Sequence, residues 1–255
     1  MLEMYLEGDV KAGPFLVTAA TEQELSLLRR SIEARELPRL ALCSAHEGLV
    51  GNRRVIIAVT GMGKVNAALA TTILIERYKP LMVINTGCAG AYHTSGLQVG
   101  HLAIAASEIY GDEGVLTHDG WHGTEFIGIP LVEKDGNRYY NEIPLSRSAS
   151  ERGVQLANAL GVTFQRGKFV TVSTCSGTAV RGDELGRRFR GICENMEGAA
   201  VAHVALMYGV DCLEVRGVSN LVEDRDLGNW DIGSAVEVAQ RFILKYIETF
   251  DDDGI

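Results

Sequence analysis

The chain has 255 residues, a formal net charge of -9, 46% hydrophobic and 7% aromatic residues, which fits one large α/β domain with a full core. With no dense Lys/Arg block a nucleic-acid partner is excluded as the first expectation, and no apolar run reaches the roughly 18 residues of a membrane span. The five cysteines, Cys43, Cys88, Cys175, Cys193 and Cys212, are widely spaced and contain no Cys-x-x-Cys, which argues for reduced thiols in the cytoplasm and against a disulfide framework or a structural zinc site.

In chain order, residues 1–13 read as an extension. They carry Glu3, Glu7 and Asp9 and lack the basic-then-apolar pattern of a signal peptide. Residues 14–255 form the expected domain. "FLVTAA" (15–20) is a short apolar strand, and "EQELSLLRRSIEAREL" (22–37) places Leu25, Leu28 and Ile32 at helical spacing. "RVIIAVT" (54–60) is a β-branched strand. "KVNAALATTILIERY" (64–78) is a helix that Pro80 stops. "LMVINTG" (81–87) and "HLAIAAS" (101–107) are strands, and 111–145 is polar and turn-rich. A helix at "ERGVQLANAL", strands at "KFVTVST" and "GICENM", a helix at "EGAAVAHVALMYG", a strand at "DCLEVRGVS" and an amphipathic helix at "SAVEVAQRFILKYIETF" complete the order. Strands alternating with helices predict a single-domain three-layer sandwich, with a central, mostly parallel mixed sheet flanked by helices.

Ligands in such sheets sit beyond the carboxyl ends of strands. That rule singles out Glu24, Glu197 and Asn220, three polar side chains at strand exits. Each has a bland alternative. Thr21 to Glu24 reads as a capping box, Glu197 as a carboxylate at a helix start, and Asn220 as a turn residue. "TGMGKVN" matches no phosphate loop, because Ala58 and Val65 break the Walker pattern and Asn66 breaks the dinucleotide fingerprint. His118 and His122 stand four apart, but Gly120 and Gly123 favour a loop over a metal site. Cys88 has no evident histidine partner and reads as a small hydrophobe.

Taken together, "AATEQELSLL", "TGMGKVNAALATTILIERYKPLMVINTGCAG", "VTVST", "NMEGAAVAHVA" and "EVRGVSN" resemble the nucleoside phosphorylase/nucleosidase superfamily, in its order and over nearly the whole chain. The likeness is greatest to the hydrolytic branch typified by methylthioadenosine/S-adenosylhomocysteine nucleosidase. Within it, "IYGDEGV", "NMEGAA" and "VRGVSN" followed by "RDLGNW" look most like the futalosine hydrolases of the alternative menaquinone pathway. The resemblance implies a cytoplasmic homodimer or higher homo-oligomer, with a nucleoside as partner, no nucleic acid or membrane, and no metal or other cofactor.

It also implies site roles. Glu24 would orient and deprotonate water. Glu197 would accept hydrogen bonds from ribose hydroxyls, and Met196 would pack on the sugar. Gly87 and Gly90 would bring backbone close to the ligand. Cys88 stands where relatives often have serine. Thr174, Gly177 and Thr178 would border the base, at a place where adenine-specific relatives carry an aromatic residue. Asn220 replaces an aspartic acid that protonates the purine in the methylthioadenosine branch. A carboxamide donates N–H to N7 and O6 of a 6-oxopurine, so the expected reaction is hydrolysis of futalosine to hypoxanthine and dehypoxanthine futalosine. A flipped amide also pairs with adenine, which keeps methylthioadenosine, S-adenosylhomocysteine and aminodeoxyfutalosine as alternatives. Glu22, Glu24 and Asn85 stand where phosphorylases use arginines, which favours water over phosphate. Trp121, Phe126 and Arg138 are the expected contacts of a bulky 5′ substituent.

Overall fold

The computed structural model describes residues 13–40 and 43–250, so the extension expected over 1–13 falls almost wholly outside the described residues. The strands and α-helices follow in chain order. They are β1 (Phe15–Ala19), α1 (Ser26–Ser31), β2 (Arg35–Glu36), β3 (Ser44–Val50), β4 (Arg53–Val59), α2 (Lys64–Tyr78) and β5 (Met82–Ala91). Next come β6 (Leu102–Tyr110), the short β7 (Val115–Thr117), β8 (Gly120–His122), β9 (Val132–Lys134) and β10 (Asn137–Tyr139), then β11 (Glu142–Pro144) and α3 (Arg147–Leu160). The last are β12 (Phe164–Thr171), α4 (Ala179–Phe189), β13 (Gly191–Asn195), α5 (Gly198–Tyr208), β14 (Asp211–Leu221) and α6 (Ile232–Glu248).

The fold is a mixed α/β sheet flanked by helices, but it is not the open three-layer sandwich expected. β5, β13, β12, β6 and β14 pair in a ring, because β14 pairs in parallel with β5 and antiparallel with β6. The sheet therefore closes into a five-stranded barrel. β1, β4, β3 and β2 extend from β5 as an open wing. A register shift in β14 between Val218 and Asn220 tightens the barrel rim where Asn220 stands.

Two apolar cores cover the sheet. One joins α2 and α5 through Ala67, Leu74, Val201 and Ala205, and the other joins α1 and α6 through Leu28, Phe242 and Tyr246. α5 is apolar almost all round and has seven of its eleven residues buried, as suits a helix packed between neighbours along most of its length. α2 ends where Lys79 turns left-handed at φ 46, just ahead of Pro80. The helix expected over 22–37 is much shorter. A 3-10 turn (Gln23–Leu25) leads into α1, and Glu33 at φ 48 stops it. Leu25, Leu28 and Ile32 are buried as their spacing implied. The chain beyond them leaves to pair with β3, where Arg35 meets Glu47. No helix among the described residues is long and apolar enough to cross a membrane.

Candidate active site

The site is organised around Gly87–Gly90, the carboxyl-terminal half of β5. Glu24 reaches it from the 3-10 turn after β1. One of its oxygens, Oε2, accepts from the Thr21 N–H and hydroxyl, each at 2.9 Å. The other, Oε1, accepts from the Cys88 N–H at 3.1 Å. The bonds to Thr21 and the bond to β5 therefore use different oxygens of one carboxylate. Gly87 makes the approach possible. It has φ +150, and a β-carbon there would lie 2.4 Å from Glu24 Oε1 and 3.0 Å from Arg216 Nη1. No residue with a side chain fits without displacing that carboxylate.

Glu197 lies at the start of α5. Its Oε1 accepts from the Gly63 N–H at 2.9 Å, and its Oε2 is 3.6 Å from Arg216 Nη2. Arg216 is 2% exposed. Its Nη1 donates to the Cys88 carbonyl at 3.0 Å and its Nε to Glu214 at 2.6 Å. Asn220 continues the row on β14. Its Oδ1 accepts from the Ser219 hydroxyl at 2.8 Å, and its Nδ2 donates to the Leu221 carbonyl at 2.9 Å. Ser219 also donates to the Ala89 carbonyl at 3.3 Å. Glu24 and Asn220 thus border the same stretch of β5, and Glu197 is joined to it through Arg216, which donates to the Cys88 carbonyl. The amide keeps one N–H for a ligand rather than the two expected, because Leu221 takes the other.

Electrostatics follow from burial. Burial pushes the Glu197 carboxyl above its ordinary range, and Arg216 opposes the rise. Burial resists the charge on Arg216, but Glu214, Glu197 and Glu24 outweigh it and hold the guanidinium ionised. The Cys88 thiol is pushed up to about 11 by burial and then by Glu24, so it stays protonated and unfit as a nucleophile.

Behind the site the barrel holds further carboxyl groups. Glu108 accepts from Asn195 Nδ2 at 2.6 Å and from the Thr171 hydroxyl at 2.7 Å. Glu214 accepts from Asn85 Nδ2 at 3.1 Å. Glu108 Oε1 and both Glu214 oxygens converge within 2.5 Å of the point where a β-carbon on Gly198 would stand. Burial and then Glu214 push the Glu108 carboxyl well above its ordinary range. Glu194, on β13, is also raised by burial, against hydrogen bonds from Ser176 and Tyr92 and the charge of Arg181. Sequence reasoning missed Arg216, Glu214, Glu108 and Glu194. Charged residues two apart, Glu214 and Arg216, inside an otherwise apolar strand were the available signal, since such residues share one face.

The remaining expected residues are dispersed. Met196 is half-buried beside Glu197, while Thr174, Gly177 and Thr178 lie in an exposed loop. Thr178 caps α4, accepting from the Arg181 N–H at 3.3 Å. Trp121 packs edge-on against Phe189 at 5.3 Å and beneath Arg188 at 4.9 Å. Phe126 stacks on His122, and Arg138 pairs with Glu133. With Tyr139 and Tyr140 they surround a cavity of about 770 Å³ that neither Glu24, Glu197 nor Asn220 lines. Lys64, the cation of the failed phosphate loop, is held by Asp112 at 2.8 Å and Glu113 at 2.9 Å. Among the described residues no group of three or more His, Cys, Asp or Glu side chains is arranged for a metal ion.

Residues 14–250 match the family described as "Phosphorylase superfamily". A 5'-methylthioadenosine/S-adenosylhomocysteine nucleosidase of Bacillus cereus (strain G9842) is 31% identical over 240 residues, covering 91% of this chain and 97% of its own length. The crystal structure of S-adenosylhomocysteine nucleosidase from Streptococcus pyogenes, in complex with 5-methylthiotubericidin, superposes with a TM-score of 0.82 at 25% identity, covering 96% of this chain and 100% of that one. The native structure of futalosine hydrolase of Helicobacter pylori strain 26695 gives a TM-score of 0.80 at 21% identity, covering 94% and 99%, a likeness of fold alone.

Proposed function

The chain belongs to the phosphorylase superfamily, and from that membership we propose that residues 14–255 are an N-glycosyl hydrolase that releases hypoxanthine from futalosine, acting as a homo-oligomer. The observation that carries the hydrolytic reading is Glu24 Oε1, held on the Cys88 N–H beside Arg216-braced Glu197. In this reading Glu24 takes a proton from water. The water oxygen bonds to the anomeric carbon, the glycosidic C–N bond breaks, and its electron pair leaves with the purine. The purine anion recovers a proton from solvent and Glu24 releases its own to solvent, so the proton count closes. Glu197 accepts hydrogen bonds from ribose hydroxyls, which are stronger to a charged acceptor than to a neutral one. The free N–H of Asn220 stabilises charge developing at N7.

Phosphate fits poorly as nucleophile. Each close pair of unit charges 4 Å apart costs about 4 kcal/mol at intermediate dielectric. Arg216 is buried and bonded to Glu214 and the Cys88 carbonyl, with its Nη2 3.6 Å from Glu197. The second reading is a nucleosidase releasing adenine, which the 31% identical Bacillus relative favours. The carboxamide at Asn220 favours the 6-oxopurine, because an amide supplies no acid proton for adenine.

The test is incubation with futalosine, its 6-amino analogue, inosine and methylthioadenosine, with and without phosphate, followed by separation of the released base. Hypoxanthine from futalosine should form fastest, without phosphate dependence. Glu24→Gln should lose at least ~100-fold in turnover while still binding base, in line with the usual contribution of a general base. Faster adenine release would move the assignment to the second reading. A sugar phosphate product, or unchanged turnover in the variant, would overturn the hydrolytic mechanism.

A further inference from the structure

Two strands meet β5 at the same residue. Glu194 of β13 pairs with Gly90 from one side, and Asn220 of β14 pairs with it from the other. Residues directly opposite on paired strands project from the same face of a sheet. Gly90 has no side chain between them. A β-carbon built on it would lie 3.2 Å from Asn220 Nδ2 and 3.7 Å from Glu194 Cγ. The Val222 methyl Cγ2 lies nearer still, at 2.9 Å, so the row is glycine backbone covered by Val222, with a carboxamide on one bank and a carboxylate on the other. The two strands are two spacings apart, about 10 Å, but both side chains lean in over Gly90.

The Glu194 carboxyl is 6% exposed. Its Oε1 accepts from the Ser176 N–H at 2.8 Å. Its Oε2 accepts from the Ser176 hydroxyl at 2.7 Å and from the Tyr92 hydroxyl at 3.2 Å. Three donors face it, a set that suits an ionised acceptor. A carboxylate offers about four lone-pair positions, so Oε1 retains one. We propose that Glu194 is a second base-reading residue, whose remaining lone pair accepts the N1–H of a 6-oxopurine while Asn220 holds its N7 edge.

The inference rests on the reading of Asn220 given above and extends it to the far side of the base. A 6-oxopurine carries hydrogen on N1. A 6-aminopurine presents N1 as a bare acceptor, so two acceptors face each other and neither is satisfied. A site built around a substrate N–H rejects the analogue that lacks it, because its own buried polar group is left unpaired. Glu194 thus adds a second ground for base selection to that of Asn220, whose amide is held by Ser219 and Leu221.

The experiment compares kcat/KM for futalosine and its 6-amino analogue in the wild type, Glu194→Gln, Ser176→Ala and Asn220→Asp. The glutamine amide both donates and accepts, so Glu194→Gln should cut the 6-oxo/6-amino ratio by roughly 10- to 100-fold, the range for one hydrogen bond to a charged group. Ser176→Ala keeps the carboxylate and should lower both activities while leaving the ratio within about threefold, since no base contact is changed. If Glu194 only holds the 173–178 loop, both variants will lower both activities alike and the ratio will not move, which overturns the proposal. A ratio that shifts in Asn220→Asp alone overturns it too but leaves the reading of Asn220 standing, whereas a ratio unmoved in either removes both. Calorimetry on the wild type needs no variant to fold. Hypoxanthine should bind at least ~10-fold more tightly than 1-methylhypoxanthine, whose N1 has no hydrogen to give, and equal affinities would overturn the assignment.

Discussion

Glu108 and Glu214 are buried in the barrel with their oxygens crowded together, and Arg216 is aimed at Glu214, Glu197 and Cys88 rather than at Glu108. Two carboxylates at such range do not both ionise, so the pair retains a proton in the native state. The ordinary carboxyl value is 4.5, and Glu108 is displaced well above it, by burial first and Glu214 second. Between those two values the unfolded chain has lost a proton that the native state keeps. Stability therefore falls as pH rises through that window, by up to about 1.4 kcal/mol per pH unit for one whole proton, and levels off above the folded value. Glu108→Gln removes the titration and keeps the hydrogen-bonding shape. Urea melts of both proteins across neutral pH should show a shallower decline in the variant, and parallel slopes would mean that the pair holds no proton. None of this was legible in the sequence, where the expected strand over 101–107 stops one residue short of Glu108 and its partners are far away in the chain.

At the scale of elements, the start of α5 is held by Asn195 at the end of β13, whose Oδ1 accepts from the Glu197 N–H at 2.9 Å and the Gly198 N–H at 2.7 Å while its Nδ2 donates to Glu108. Asp231 caps α6 in exposed surroundings through Ser234. Losing an exposed cap costs about 1 kcal/mol, whereas leaving buried donors unpaired costs about 1–3 kcal/mol each. Asn195→Ala should therefore destabilise the protein more than Asp231→Ala in denaturant titrations. Equal losses would show that the buried cap contributes nothing beyond an ordinary one. Elements with complete local signals were legible. α2 was readable residue for residue, since apolar periodicity and Pro80 both mark it. α1 was read too long, because pairing of Arg35–Glu36 with β3 overrides helical spacing beyond Ile32. α4 went unread, since its polar face dominates and only Gly182, Leu185 and Gly186 are buried. β14 was read as ending at Ser219, yet it continues through a bulge to Leu221.

For the whole molecule, ring closure is the feature that local patterns do not encode. β14 reads as one apolar strand, and nothing in its composition says that it has two partners running in opposite senses. Glu24, Glu197 and Asn220 were singled out as strand-exit residues, but Arg216, which pairs with Glu197, became visible only once β5 and β14 were neighbours. Closure also predicts where the molecule is stiffest. Amide hydrogen exchange should be slowest in β5, β6, β12 and β14 and fastest in the small β7–β8 and β9–β10 hairpins, which pair outside the main sheet. Uniform protection across ring and hairpins would contradict a closed core.

The ring has one more effect. Its staves seal Glu108 away from bulk water, with 0% of that residue accessible. A hydrogen ion can reach or leave it only when a seam between staves parts. The interior acidity is accordingly set as the cylinder shuts, and after a sudden change of medium it lags behind the titration of the outer surface, like a slow clock inside a fast one.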